Sequence, residues 1–179
     1  MHVLFLCKGN VCRSAMAERL AVAIAAEHGL TGLTAESAGT RALVGFPIEP
    51  VAAEVLRGLG ADPSGFAARR LRPETVDRAD LVLAMTEQLR DEVVQLVPGS
   101  GRRTFTLLEA RRTVWLTKAR TVDDLHAHRD RVAIHDESIS DPVGLGAGAF
   151  ERVGEQIAEA LLVLIPALCE AGGPGPVDA

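Results

Sequence analysis

Tyrosine is absent from this 179-residue chain, and tryptophan occurs once. With five phenylalanines, aromatics make up 3% of residues, so any pocket wall must be largely aliphatic. Cysteine is scarce as well. Cys7, Cys12 and Cys169 form an odd set, too few for a disulfide-framed secreted scaffold and better suited to a reducing cytoplasm. Long apolar runs are missing: the run 160–165 is far short of a membrane span and meets Pro166. No basic segment precedes a signal-like apolar stretch, so no secretory leader is expected. Positive charge is in deficit too. A net charge of −5 argues against a general nucleic-acid binder. The length fits one domain, and 47% hydrophobic with 24% charged residues supports a sizeable core. Internal repeats are not evident.

The most informative stretch is Cys7-Lys8-Gly9-Asn10-Val11-Cys12-Arg13-Ser14. It lies between the apolar run Val3-Leu4-Phe5-Leu6 and a helical pattern beginning Ala15-Met16-Ala17-Glu18. Strand, tight loop and helix start form a geometry that wraps backbone N–H groups around an oxyanion. Gly9 takes positive φ at no steric cost, and Asn10 tolerates the left-handed region better than most residues. A sulfur at the loop's start faces those donors, the helix N-terminus and the Arg13 guanidinium, all of which favour negative charge. The loop is therefore built to hold a phosphate-like group, on Lys8 to Ser14, against a nucleophilic Cys7.

Apolar strands alternate with helical patterns, which predicts an α/β domain over 1–170. Its expected core is a parallel twisted sheet of about four strands, with helices on both faces and the anion loop between strand one and helix one. The strands are expected at about 2–6, 33–37, 81–85 and 104–107, and helices at 14–27, 50–60, 87–96 and 149–168. Thr86 reads as a helix N-cap. The stretch 108–137 has helical character only near 109–118 and is expected to be a solvated excursion. The Gly- and Pro-rich tail 171–179 is expected to be disordered. Asp123, Asp124, His126, His128, His135 and Asp136 match no metal-ligand spacing, so no metal is assigned. Arg102-Arg103 and Arg111-Arg112 read as a solvated basic face, and Trp115 as an anchor for its own helix.

The loop resembles the C-x-G-N-x-C-R-S signature of the low-molecular-weight protein tyrosine phosphatases. Ser140-Asp141-Pro142 is similar to that family's Asp-Pro element, and 35–40 (Ala-Glu-Ser-Ala-Gly-Thr) to its S-A-G-T strand end. Gly45-Phe46-Pro47-Ile48-Glu49-Pro50 resembles its G-x-P-x-D-P loop, and 80–85 its D-x-I-x-x-M strand. The resemblance covers most of 1–165, in the family's order. It implies a metal-independent, cofactor-free phosphatase in which Cys7 forms a phosphocysteine. Arg13 then grips two phosphate oxygens, the loop amides supply further donors, and Ser14 hydrogen-bonds the sulfur. Asp141 protonates the leaving oxygen, and Pro142 stiffens its loop. Asn10 and Ser37 match positions that brace the loop, and Cys12 matches a resolving thiol. Expected partners are a phosphorylated protein or a small phosphate ester, with no nucleic acid and no membrane; nothing in the sequence sets an oligomeric state.

Several departures bear on the substrate. Val143 and the pair Leu43-Val44 stand where many members carry aromatics, leaving Phe46 as the nearest aromatic. Phe66 replaces a common histidine, and Thr86 a common aspartate. An arsenate reductase of this fold needs further cysteines after strand three, and none lies between Cys12 and Cys169. The arginine-phosphatase branch has threonine before the second loop cysteine, where this chain has Val11. A protein arginine phosphatase and a small-metabolite phosphatase remain as alternatives, while Cys7, Arg13 and Asp141 together argue against a non-catalytic phosphate binder. Asp136 and Glu137 compete with Asp141 for the acid role, and Gly144, Gly146 and Gly148 are expected to let its loop move.

Overall fold

The computed structural model describes residues 1–132 and 137–169. The expected tail and the residues His135 and Asp136 lie outside the described residues. Strands β1 (His2–Cys7), β2 (Thr34–Gly39), β3 (Leu81–Ala84) and β4 (Thr104–Thr106) form one parallel sheet in the order β2-β1-β3-β4. Val3 through Leu6 are completely buried, as the central strand of a doubly covered sheet requires. In register, Cys7 pairs with Gly39 and Leu6 with Ala84.

The helices are α1 (Arg13–Glu27), α2 (Pro50–Gly58), α3 (Pro73–Arg78), α4 (Glu87–Leu96), α5 (Leu107–Thr117), α6 (Val122–Val132) and α7 (Ala147–Cys169). From β1 the chain steps one way across the sheet to β2. From β3 it steps the other way to β4. Right-handed crossovers therefore put α1 and α4 on opposite faces. The reversal occurs at β1, so a crevice opens at the carboxyl ends of β1 and β3, where the anion loop emerges. α7 packs across α1, α2 and α5. Its approach to α2 depends on Gly154, where a Cβ would stand 2.5 Å from Val55 Cγ1.

Two sequence expectations are corrected. Residues 108–132 are not a solvated excursion, because α5 and α6 pack together and Leu125 is fully buried. Arg129 on α6 ties the pair to the sheet edge. It donates to Glu109 Oε1 at 2.9 Å and to the Gly101 carbonyl at 3.0 Å, also reaches the Thr104 carbonyl, and stacks over the Phe105 ring. Trp115 does not anchor its helix: it is 61% exposed, with the Lys118 ammonium 5.3 Å from its ring centroid. The basic face is partly neutralised, since Arg103 reaches Asp77 and Arg112 reaches Glu137. Asp124 serves helix entry, with its Oδ2 accepting from the Arg120 and Thr121 amides while Thr121 Oγ1 accepts its own amide.

Candidate active site

The loop between β1 and α1 is held from outside by its carbonyl groups. The carbonyls of Cys7, Lys8, Gly9 and Val11 accept from the amides of Thr40, Arg41, Leu43 and Glu49 at 2.8–3.2 Å. In a trans peptide the C=O and the following N–H point in opposite directions. Turning these four carbonyls toward 40–49 therefore turns the amides of Lys8, Gly9, Asn10 and Cys12 inward, forming an anion-binding nest. Asn10 makes the turn possible by adopting φ of +55°. Close approach of the end of β2 is equally necessary. A Cβ on Gly39 would lie 2.5 Å from the Lys8 carbonyl oxygen and 3.0 Å from the Asn10 amide.

Cys7 is buried, with its sulfur inside this nest. The Asn10 amide donates to Sγ at 3.2 Å, and Ser14 Oγ lies 2.9 Å from it. The direction of the second bond follows from a chain of partners. The Arg69 amide donates to Asn10 Oδ1 at 2.7 Å, which fixes the amide orientation of Asn10. Asn10 Nδ2 then donates to Ser14 Oγ at 3.0 Å and to Ser37 Oγ at 2.8 Å. The Ser37 hydroxyl donates in turn to Glu18 Oε2 at 2.6 Å, and Arg69 Nη2 also donates to that oxygen at 3.0 Å. With its lone pair taken by Asn10, the Ser14 hydroxyl has its proton free for the sulfur. A buried carboxylate three hydrogen bonds away thus orients the donor that meets Cys7.

Arg13, only 5% exposed, opens α1 and reaches across the crevice. Its Nη1 donates to the Ile139 carbonyl at 2.9 Å, and its Nη2 to Asp141 Oδ2 at 2.5 Å. The Ile139 amide in turn donates to the Met85 carbonyl at the end of β3, and the Glu87 amide to Ser138 Oγ. These bonds fasten the segment carrying Asp141 and Pro142 to the same crevice as the loop. Asp141 itself is half exposed, and its Oδ1 accepts the Val143 amide at 3.3 Å. Glu137 is turned away: it is buried against Arg112 Nε at 2.9 Å, and burial holds its carboxyl above the usual range despite that cation. Cys12 is also buried. Desolvation, and next the neighbouring Cys7, push its thiol up to about 12. It is therefore in the thiol form at neutral pH.

The structure thus brings Cys7, Asn10, Arg13, Ser14, Ser37 and Asp141 together. Sequence reasoning missed Glu18, Arg69 and the Ile139 carbonyl. Glu18 had a signal, since it is an acid among apolar residues of an alanine-rich helix, one turn beyond Ser14. Ile139 had none, because its carbonyl acts through position rather than residue type, and Arg69 gave none because its partners Asn10 and Glu18 lie more than fifty residues away. Thr86 is the N-cap of α4, as expected, accepting the Leu89 amide. Among the described residues, no three His, Cys, Asp or Glu side chains converge in the manner of a metal site, and no helix is long and apolar enough to cross a membrane.

Comparison with known proteins agrees with this geometry. Over 107 residues the chain is 37% identical to a probable low molecular weight protein-tyrosine-phosphatase, EpsP, of Ralstonia nicotianae, spanning 60% of this chain and 70% of that protein. It is 36% identical over 106 residues to a protein-arginine-phosphatase of Geobacillus stearothermophilus, spanning 59% and 68%. The crystal structure of the low molecular weight protein tyrosine phosphatase from T. tengcongensis superposes with a TM-score of 0.75 at 31% identity, covering 94% of this chain and 99% of that one. The family model for low molecular weight phosphotyrosine protein phosphatase matches residues 2–171, and the chain belongs to that family of cysteine-dependent phosphatases.

Proposed function

We propose that this protein hydrolyses phosphotyrosine in proteins through a phosphocysteine intermediate at Cys7. The observation that carries the reading is the convergence on one crevice of a sulfur met by an oriented hydroxyl and of the Arg13–Asp141 pair. In the first step the Cys7 thiolate attacks phosphorus. The bond to the tyrosine oxygen breaks, and the proton of Asp141 goes to that oxygen. In the second step water attacks phosphorus, the P–S bond breaks, and Asp141 takes the water's proton. Ser14 stabilises the departing thiolate, while Arg13 and the inward amides hold the equatorial oxygens. Neither step needs a metal or cofactor. Because Cys7 must remain a thiol between turnovers, the reading places the enzyme in a reducing compartment, the cytoplasm.

Phosphoarginine is the competing substrate, given the arginine-phosphatase relative. Val11 favours the aryl group: its partly buried isopropyl offers an apolar contact to a ring and no hydroxyl to a guanidinium. The test compares kcat/KM on phosphotyrosine and phosphoarginine peptides with chelator present, for the native chain and for Val11→Thr. Preference for phosphotyrosine is expected in the native chain, reduced in Val11→Thr. A native preference for phosphoarginine would overturn the assignment. Cys7→Ser should abolish turnover but still bind inorganic phosphate or vanadate.

A further inference from the structure

A cavity of about 260 Å³ adjoins the anion loop on the side of α4, bordered by Lys8, Arg13, Arg41, Thr86, Gln88 and Glu92. We propose that this lobe binds a second anionic group of the substrate, a carboxylate or phosphate next to the phosphorylated side chain, through Lys8 and Arg41. The proposal rests on the phosphatase reading and extends it to the substrate's surroundings.

Several observations support an anion here. The protein carries net negative charge, yet this lobe gathers three cations against one carboxylate, that of Glu92. Glu92 is itself occupied by Gln88 Nε2 at 3.0 Å. Lys8 and Arg41 are exposed, and among the described residues neither has a carboxylate within 4.0 Å. Their backbones are joined by the Arg41 amide donating to the Lys8 carbonyl at 2.9 Å, which keeps the two side chains on one lip. The buried Arg13 side chain borders the lobe from within, and its Nε has no hydrogen-bond partner among the described residues. Opposite, the first turn of α4 brings the positive end of a helix, its cap already supplied by Thr86.

The lobe is also distinct from the phosphate nest. Cys7, Val11 and Asp141 do not border it, whereas Lys8 and Arg13 border both. A group in the lobe therefore belongs to the same molecule whose phosphate faces Cys7. The aliphatic side chains of Leu43, Val44 and Val143, all about half exposed or more, give no comparable hold on charge.

Calorimetric titration of the Cys7→Ser protein tests the lobe without turnover. The probes are phosphotyrosine peptides flanked by alanine, by glutamate or by phosphoserine. Both acidic peptides should bind about fivefold tighter than the alanine peptide, the worth of a good exposed ion pair or two. That advantage should shrink at high salt, vanish in Cys7→Ser with Arg41→Gln, and reverse toward a lysine-flanked peptide with Arg41→Glu. A larger gain for phosphoserine than for glutamate assigns the lobe to phosphate; equal gains assign it to a carboxylate. Equal affinity for acidic and alanine peptides, or an advantage undiminished by Arg41→Gln, overturns the proposal. Hydrolysis of the alanine peptide by the native chain is measured in parallel. Its absence would sink the phosphatase reading, while the binding ratio still reports on the lobe.

Discussion

Arg13 and Asp141 are 128 positions apart in the chain, and Arg13 Nη2 stands 2.5 Å from Asp141 Oδ2. The guanidinium proposed to grip phosphate and the carboxyl proposed to serve the leaving group are thus positioned by one another. The second nitrogen of the fork is spent on the Ile139 carbonyl, two residues before Asp141. Arg13 therefore fixes the segment that carries Asp141.

Arg13→Lys should accordingly fail twice. An ammonium lacks the planar fork needed for two phosphate oxygens, and it cannot also hold the Ile139 carbonyl. A loss of about a hundredfold or more in kcat/KM on an aryl phosphate is expected, comparable to losing an oxyanion donor elsewhere. Retention of near-native activity would place Arg13 outside the phosphate cradle.

Asp141→Ala should hurt most when the leaving group is poor. On a phenyl phosphate kcat should fall steeply; on an activated aryl phosphate, whose anion leaves unaided, the fall should be smaller. Rate against leaving-group pKa is the measurement, and its slope should steepen in the variant. Glu137→Gln should leave that slope alone, because Glu137 faces Arg112 on α5.

Gly39→Ala should loosen the loop. The added methyl meets the Lys8 carbonyl at 2.5 Å, and β2 cannot retreat because Gly39 is bonded through its amide to Arg69 and through its carbonyl to Leu71. A destabilisation of about 1–3 kcal/mol in urea is expected, with weaker phosphate binding. Gly58→Ala, with nothing within 4 Å of its new Cβ, is the control and should cost nothing.

Cys12 should govern stability at alkaline pH. Its folded-state pKa is raised from 9.0 to about 12, so between those values the folded state holds a proton that the unfolded chain has lost. The stability from this group is complete below about pH 9 and declines as pH rises toward 12. Cys12→Ala should flatten that alkaline decline in denaturation midpoint, whatever its effect at neutral pH. An unchanged slope would show that another group carries it.

Local pattern alone determined the strand–loop–helix around Cys7, the main strands and the helix capped by Thr86. These depend on hydrophobic period and turn chemistry within a few residues, which a sequence displays directly. The Asp141-Pro142 element and Ser37 were legible only through resemblance, since nothing near them in the chain says what they face. The tertiary structure decided the rest. α6 was hidden by its polar composition, because its anchoring rests on Leu125 and on Arg129, whose partners Glu109 and Phe105 come from other elements. Glu18 and Arg69 joined the site only when β2 and the segment after α2 closed around Asn10. The sequence by itself suggested which atom would attack and which groups would bind phosphate, because those proposed roles depend on residue type. Only the fold decided which way each proton points, because a hydrogen bond's direction is set by neighbours that the chain brings together from far apart.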